Sequence, residues 1–158
     1  MVTPLGDPME EPAFQDIINS LSGCFGCGRD NEKGLRIRSH WEGDEGVCRW
    51  MPEAHHRAGE GFINGGVLAT VIDCHMGCTA TAAAYKAEGR ELGSGPELVY
   101  VTASLQVDYL RPTPAGQPVE LRASIRQING RKITVACSLR SGGEETVRGE
   151  AVFVRVDS

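Results

Sequence analysis

The sequence predicts an α+β domain, an antiparallel sheet of about six strands wrapped around one long central helix. Three observations predict it. From Gly65 to Tyr85 the chain is apolar and small, free of proline, and carries Asp73 as its sole formally charged residue. Beyond Leu98 the apolar period changes to two and stays there to the end. Between the alternating runs stand turn signals, Asn129-Gly130 and Ser141-Gly142-Gly143. A single helix covers only one face of such a sheet, so the sheet is expected to curl around it.

The elements follow in chain order. Residues 1–20 are expected to be a lead-in, either poorly ordered or with a short helix over 14–21, and residues 21–158 to form one domain. Residues 35–39 and 46–51 are expected to make a first hairpin across Trp41-Glu42-Gly43-Asp44-Glu45. The helix over 65–85 starts at Asn64, a good N-cap. Residues 87–96 are a polar, glycine-rich connection expected to be mobile. Val101, Ala103, Leu105, Val107 and Tyr109 then alternate with Thr102, Ser104, Gln106 and Asp108. Val119, Leu121, Ala123 and Ile125 do the same, Ile133 to Leu139 repeat it, and Thr146 to Val156 close the sheet.

Composition narrows the function. A net charge of -5 argues against nucleic acid as a partner, although the chain from Asp108 onward holds 8 basic residues against 6 acidic ones and leaves room for a local phosphate contact. The first twelve residues lack the basic and apolar regions of a signal peptide, and no apolar run is expected to reach the roughly 20 residues of a membrane span, so a cytoplasmic location is expected. The six cysteines are expected to be reduced. Cys24 and Cys27 form a C-x-x-C, half of a zinc site or a redox pair. No second C-x-x-C follows, and Cys48, Cys74, Cys78 and Cys137 look scattered through core segments, so no metal and no cofactor is expected.

The strongest chemical signal is Asn64-Gly65-Gly66 followed by Asp73. Two glycines at a helix start leave N–H donors uncovered at its positive end, which suits a carbonyl becoming an oxyanion; they also suit a plain tight turn. Asp73 is the only acid between Glu60 and Glu88 and lies two turns into an apolar helix, where a carboxylate is costly unless paired or kept for use. Its helical neighbours are Ala69, Thr70, Met76 and Gly77, a face of small residues that fits a narrow ligand or a partner helix. His75 falls on nearly the opposite side and reads as buried or interfacial. His55 and His56 precede the glycines and read equally as site-lining or as surface residues, while His40 carries no signal. Arg111, where a strand leaves the sheet before Pro112-Thr113-Pro114, is placed to hold a nucleotide phosphate.

Asn64-Gly65-Gly66 with the later Asp73 resembles the phenylacetate-degradation (PaaI-like) branch of the hot-dog-fold acyl-CoA thioesterases. Cys24-Phe25-Gly26-Cys27-Gly28 with Asn31 and Gly34-Leu35, the stretch Val107 to Pro114, and the three closing strands carry the resemblance over residues 24–156. It implies a hot-dog fold, Asp73 as the catalytic carboxylate, Gly65 and Gly66 as oxyanion donors, and a polar strand residue near Thr102. It also implies an acyl-CoA substrate, with coenzyme A held near Arg111, and a site formed in a homodimer or a dimer of dimers. The family's usual His is replaced by Asn64, which caps and donates but does not titrate. A non-catalytic acyl-CoA-binding protein, a hot-dog dehydratase and a zinc or redox protein built on Cys24 and Cys27 are the competing readings. With only 4 Phe, 2 Trp and 3 Tyr, an aliphatic acyl chain is favoured over an aryl one.

Overall fold

The computed structural model describes residues 11–157. A short helix α1 (Phe14–Ile17) leads into a 3-10 turn, Asn19–Leu21. The hairpin β1 (Ser39–Glu42) and β2 (Glu45–Trp50) follows, then the helix α2 (Gly65–Ala87). Four strands complete the chain: β3 (Val99–Tyr109), β4 (Val119–Asn129), β5 (Lys132–Ser141) and β6 (Glu144–Val156). All six strands form one antiparallel sheet in the order β1-β2-β4-β5-β6-β3. The helix lies in the curl of that sheet and touches every strand.

The sheet comes very close to the helix. A Cβ on Gly149 of β6 would stand 2.6 Å from Ile72 Cγ2, and one on Gly46 of β2 would stand 2.2 Å from Thr79 Oγ1. Val71, Ile72, Met76, Leu121, Ile133, Val135 and Leu139 are buried together in the core between them. Ala13, Phe14 and Ile18 also pack into the core, so the ordered body begins ahead of residue 21.

By length and composition α2 is long and apolar enough to cross a membrane, which corrects the expectation that no stretch reaches that size. Most of it is covered by its own sheet, with 67% of its most apolar window buried, as suits a helix at the core of the fold.

The first hairpin sits later than the sequence pattern places it. Leu35 to Arg38 is not strand, because Arg36 adopts a left-handed φ of 54° that breaks an extended run. Its guanidinium holds the kink by donating to the Asn31 and Arg29 carbonyls, at 3.1 and 2.9 Å. The Leu35 and Ile37 N–H groups turn back to the Phe25 and Gly26 carbonyls. The hairpin loop shrinks to Gly43-Asp44, with Gly43 at a φ of 62°.

The connection after α2 is held from inside. Arg90 stacks over Tyr85, 4.7 Å from its ring centre, and donates to the carbonyls of Ser94 and Pro96.

Candidate active site

Helix α2 positions the site at both ends of a two-turn span. At its start, Asn64 caps with its side-chain oxygen, accepting from the Val67 N–H at 3.0 Å. Asn64 is itself fixed by its N–H donating to the His56 carbonyl at 2.9 Å. Among the described residues the Gly65 and Gly66 N–H groups have no acceptor, as expected of the first turn of a helix. Tyr109 closes over this end, its hydroxyl donating to the Gly65 carbonyl at 2.6 Å and its ring 3.5 Å from where a Gly65 Cβ would sit.

Two turns on, Asp73 lines a cavity of about 250 Å³ together with Thr102, Val101, Tyr100 and Gly77. Thr102 Oγ1 donates to Asp73 Oδ1 at 2.8 Å, the only hydrogen bond to this carboxylate among the described residues. A carboxylate offers about four lone-pair sites, so this single bond orients Asp73 and leaves most of its acceptor capacity open. Burial raises the Asp73 pKa above the ordinary carboxylate value, and the Thr102 hydrogen bond opposes that rise.

Thr102 and Tyr109 are seven residues apart on β3, and in an uninterrupted strand they would face opposite ways. The pairing of β3 with β6 slips between Thr102 and Ser104, an irregularity that adds one residue and reverses the alternation. Both side chains therefore reach α2. The unbroken alternation expected from residue 101 to 109 is corrected by this bulge.

Of the other sequence candidates, Arg111 lies two residues past Tyr109, at the Gly65 end of α2, half exposed and 3.4 Å from Glu144. His75 is fully buried on the far side of α2 from Asp73. Its Nε2 donates to the Gly46 carbonyl at 2.8 Å, so its Nδ1, 2.7 Å from Ser39 Oγ, accepts from that hydroxyl. Burial depresses its pKa to about 4. His56 is structural: its Nδ1 accepts from the Glu53 N–H at 2.9 Å and its ring lies against Trp50. His55 is an exposed surface residue. Tyr109 was no candidate in the sequence, because its link to Gly65 depends on strand register.

The cysteines are the larger correction. Cys48 and Cys137 lie apart in the buried strands β2 and β5, but Cys74 and Cys78 are not scattered: the Cys24–Cys27 loop crosses the face of α2 that carries them, and these four line the same cavity as Asp73. The Sγ atoms of Cys24, Cys27 and Cys74 lie within 4.8 Å of one another.

A single long helix wrapped by six antiparallel strands is the hot-dog fold seen in thioesterases. The thioesterase superfamily model matches residues 60–148, which span α2 and most of the sheet. A thioesterase superfamily protein from Shewanella loihica PV-4 is 32% identical, with a TM-score of 0.64 over 82% of this chain and 98% of its own. The E. coli PaaI protein, at 16% identity, shares the fold, with a TM-score of 0.66 over 82% of this chain and 88% of its own. Rat acyl-coenzyme A thioesterase THEM4 is 30% identical over 113 residues, 70% of this chain and 43% of the relative; its Xenopus laevis counterpart is 32% identical over 112, 70% and 45%. The chain thus spans less than half the length of these curated relatives. It belongs to the thioesterase superfamily.

Proposed function

We propose that this chain hydrolyses an acyl-CoA thioester to a free acid and coenzyme A, with Asp73 as general base or nucleophile and the Gly65-Gly66 N–H groups as oxyanion donors. The supporting observation is that Asp73 is held by one bond from Thr102 beside a cavity, on the same helix that starts with uncovered glycine donors. The THEM4 relatives are named as acyl-CoA thioesterases, which points to the same substrate class.

Helix geometry adds a condition. Seven residues turn about 700°, within about 20° of two full turns, and rise about 10.5 Å, so Gly66 and Asp73 share a face but stand far apart along it. An oxyanion donor works at about 3 Å and an attacking group at about 3–3.5 Å from one carbonyl, so the two ends of one helix do not serve the same thioester. Two antiparallel copies of α2 would bring the Asp73 of one chain opposite the Gly66 of the other.

Strand β3 supports this arrangement. It is an 11-residue edge strand on which Val101, Leu105 and Tyr109 are 47%, 39% and 51% exposed, a long apolar edge of the kind proteins cover. A second copy joined edge to edge at β3 covers it and sets the two helices side by side, giving a symmetric homodimer that further pairing extends to a dimer of dimers. Arg111, at the Gly65 end, would then meet the coenzyme A phosphates.

A panel of short, medium, long and aryl acyl-CoAs tests the reading, combined with light scattering. Turnover by a dimer or larger assembly is expected. Tight acyl-CoA binding without turnover on any of them would reassign the chain as a binding protein, and a monomer at micromolar concentration would overturn the shared site.

A further inference from the structure

Apart from the carboxylate, the densest reactive chemistry in the molecule is sulfur. Cys24 and Cys27 sit on a tight loop, and Cys74 and Cys78 are four residues apart on one face of α2. Cys24 and Cys74 Sγ are 3.7 Å apart, the Sγ atoms of Cys24, Cys27 and Cys74 lie within 4.8 Å of one another, and Cys78 adjoins this group from the next turn of α2, lining the same cavity. Cys27 and Cys78 are buried, whereas Cys24 and Cys74 keep partial exposure and give the cluster an entrance from the cavity.

The loop is shaped to bring the sulfurs together. A Cβ on Gly26 would lie 2.3 Å from Cys74 Sγ, so only glycine lets the loop press this close to the helix. A Cβ on Gly28 would lie 2.4 Å from the Cys24 nitrogen, and the Gly28 N–H closes the turn onto the Cys24 carbonyl at 2.8 Å. The Leu35 N–H pins the loop from outside, donating to the Phe25 carbonyl at 2.8 Å.

We propose that Cys24, Cys27 and Cys74 bind one thiophilic divalent cation of the zinc class, with Cys78, which lies outside their 4.8 Å group, drawn in as the fourth ligand, in a structural site that ties the Cys24–Cys27 loop to α2. A tetrahedral ion with bonds of about 2.3 Å to sulfur spaces its thiolates about 3.8 Å apart, close to the Cys24–Cys74 separation. Each coordinating thiol loses its proton to solvent, and the cation stabilises the resulting thiolate. A disulfide between Cys74 and Cys78 is ruled out by their spacing. Residues four apart on a helix hold their Cβ atoms about 5–6 Å apart, beyond the roughly 3.5–4.5 Å of a disulfide, yet that spacing is well matched to two ligands of one ion. The site would sit one residue past Asp73 without using the carboxylate, so it stands or falls independently of the thioesterase reading.

The test is metal uptake by the full chain, prepared reduced and stripped with chelator, then titrated with Co²⁺ and competed with Zn²⁺. Expected are one equivalent of Co²⁺ with the visible bands of a tetrahedral thiolate complex, their loss on adding Zn²⁺, and a melting temperature that rises with free Zn²⁺. Cys74→Ser should weaken uptake by about 100-fold or more, since even outer-shell changes at metal sites cost about 10–100-fold. Cys48→Ala and Cys137→Ala, in β2 and β5, should leave uptake unchanged. The wild-type titration decides the matter even if Cys74→Ser fails to fold. A folded, fully reduced wild-type chain that takes up no Co²⁺ overturns the proposal, as does a Cys24–Cys74 disulfide in the isolated protein with no metal uptake after reduction.

Discussion

Replacing Asp73 by Asn separates chemistry from structure at the proposed centre. The amide keeps the shape of the carboxylate and can still accept from Thr102 Oγ1, which lies 2.8 Å from Oδ1. What it loses is the ability to attack or to take a proton, a loss worth about 10²–10⁴ in turnover for a general base, or about 3–5 kcal/mol of barrier at 1.36 kcal/mol per decade. The stability balance is small. Exchanging a charge-assisted hydrogen bond for a neutral one costs about 1 kcal/mol, and removing a carboxylate that burial disfavours offsets it. The melting temperature should therefore hold or rise while turnover collapses and substrate affinity stays. Hydrolysis is best followed through the thioester absorbance, because the six free cysteines of the protein interfere with thiol dyes. A destabilised Asp73→Asn protein with wild-type specific activity would refute the reasoning and make Asp73 a structural acceptor.

The other expectations follow from neighbouring contacts. Thr102→Val removes the donor that orients Asp73 and should lower turnover by about fivefold with little change in binding, as expected for about 1 kcal/mol of lost positioning; an unchanged rate in steady-state kinetics would show that Thr102 does not orient it. Gly66→Ala places a Cβ 3.1 Å from the Asn64 cap oxygen, and should cost up to about 1 kcal/mol in denaturant unfolding along with a fall in turnover. Arg111→Ala breaks only an exposed pair with Glu144, so stability should stay within about 0.5 kcal/mol while the Michaelis constant for acyl-CoA rises; unchanged kinetics would remove Arg111 from the site. His75, held near pKa 4 in the fold, binds its proton less readily than in the unfolded chain, whose value is near 6.5. Stability is thus fully present above pH 6.5 and falls by up to about 3 kcal/mol as the pH drops towards 4, a loss that His75→Gln should reduce in pH-dependent melts.

The fold was legible wherever its cause is local. Helix α2 and strands β4 to β6 follow from period and turn residues, and the structure places them within a few residues of the expected bounds. The misplaced first hairpin has a local cause that propensity does not reveal, an arginine at positive φ stabilised by its own side chain. The edge position of β3 is a matter of sheet order. Its alternation reads as a half-buried strand, yet most of its residues are exposed, because β6 is its only neighbour in the chain. The same pattern that implied burial within one chain instead marks an apolar edge suited to a second copy.

At the site, a residue could be read from sequence when its oddity shows against its own element, and could not when its meaning depends on another. Asp73 stands out because α2 offers no other charge for two turns on either side, and Asn64 because a helix start needs a cap. Tyr109 reaches Gly65 only because a bulge of one residue turns it to the same side as Thr102, and no periodicity announces that slip. The cysteines lie between these cases. Cys74 and Cys78 have the four-residue spacing that places two ligands on one helix face, and Cys24 and Cys27 have the spacing of a metal-binding loop, so both halves were visible. Their meeting was not, since it requires the loop to be drawn onto α2 through Gly26, a contact fixed by tertiary packing.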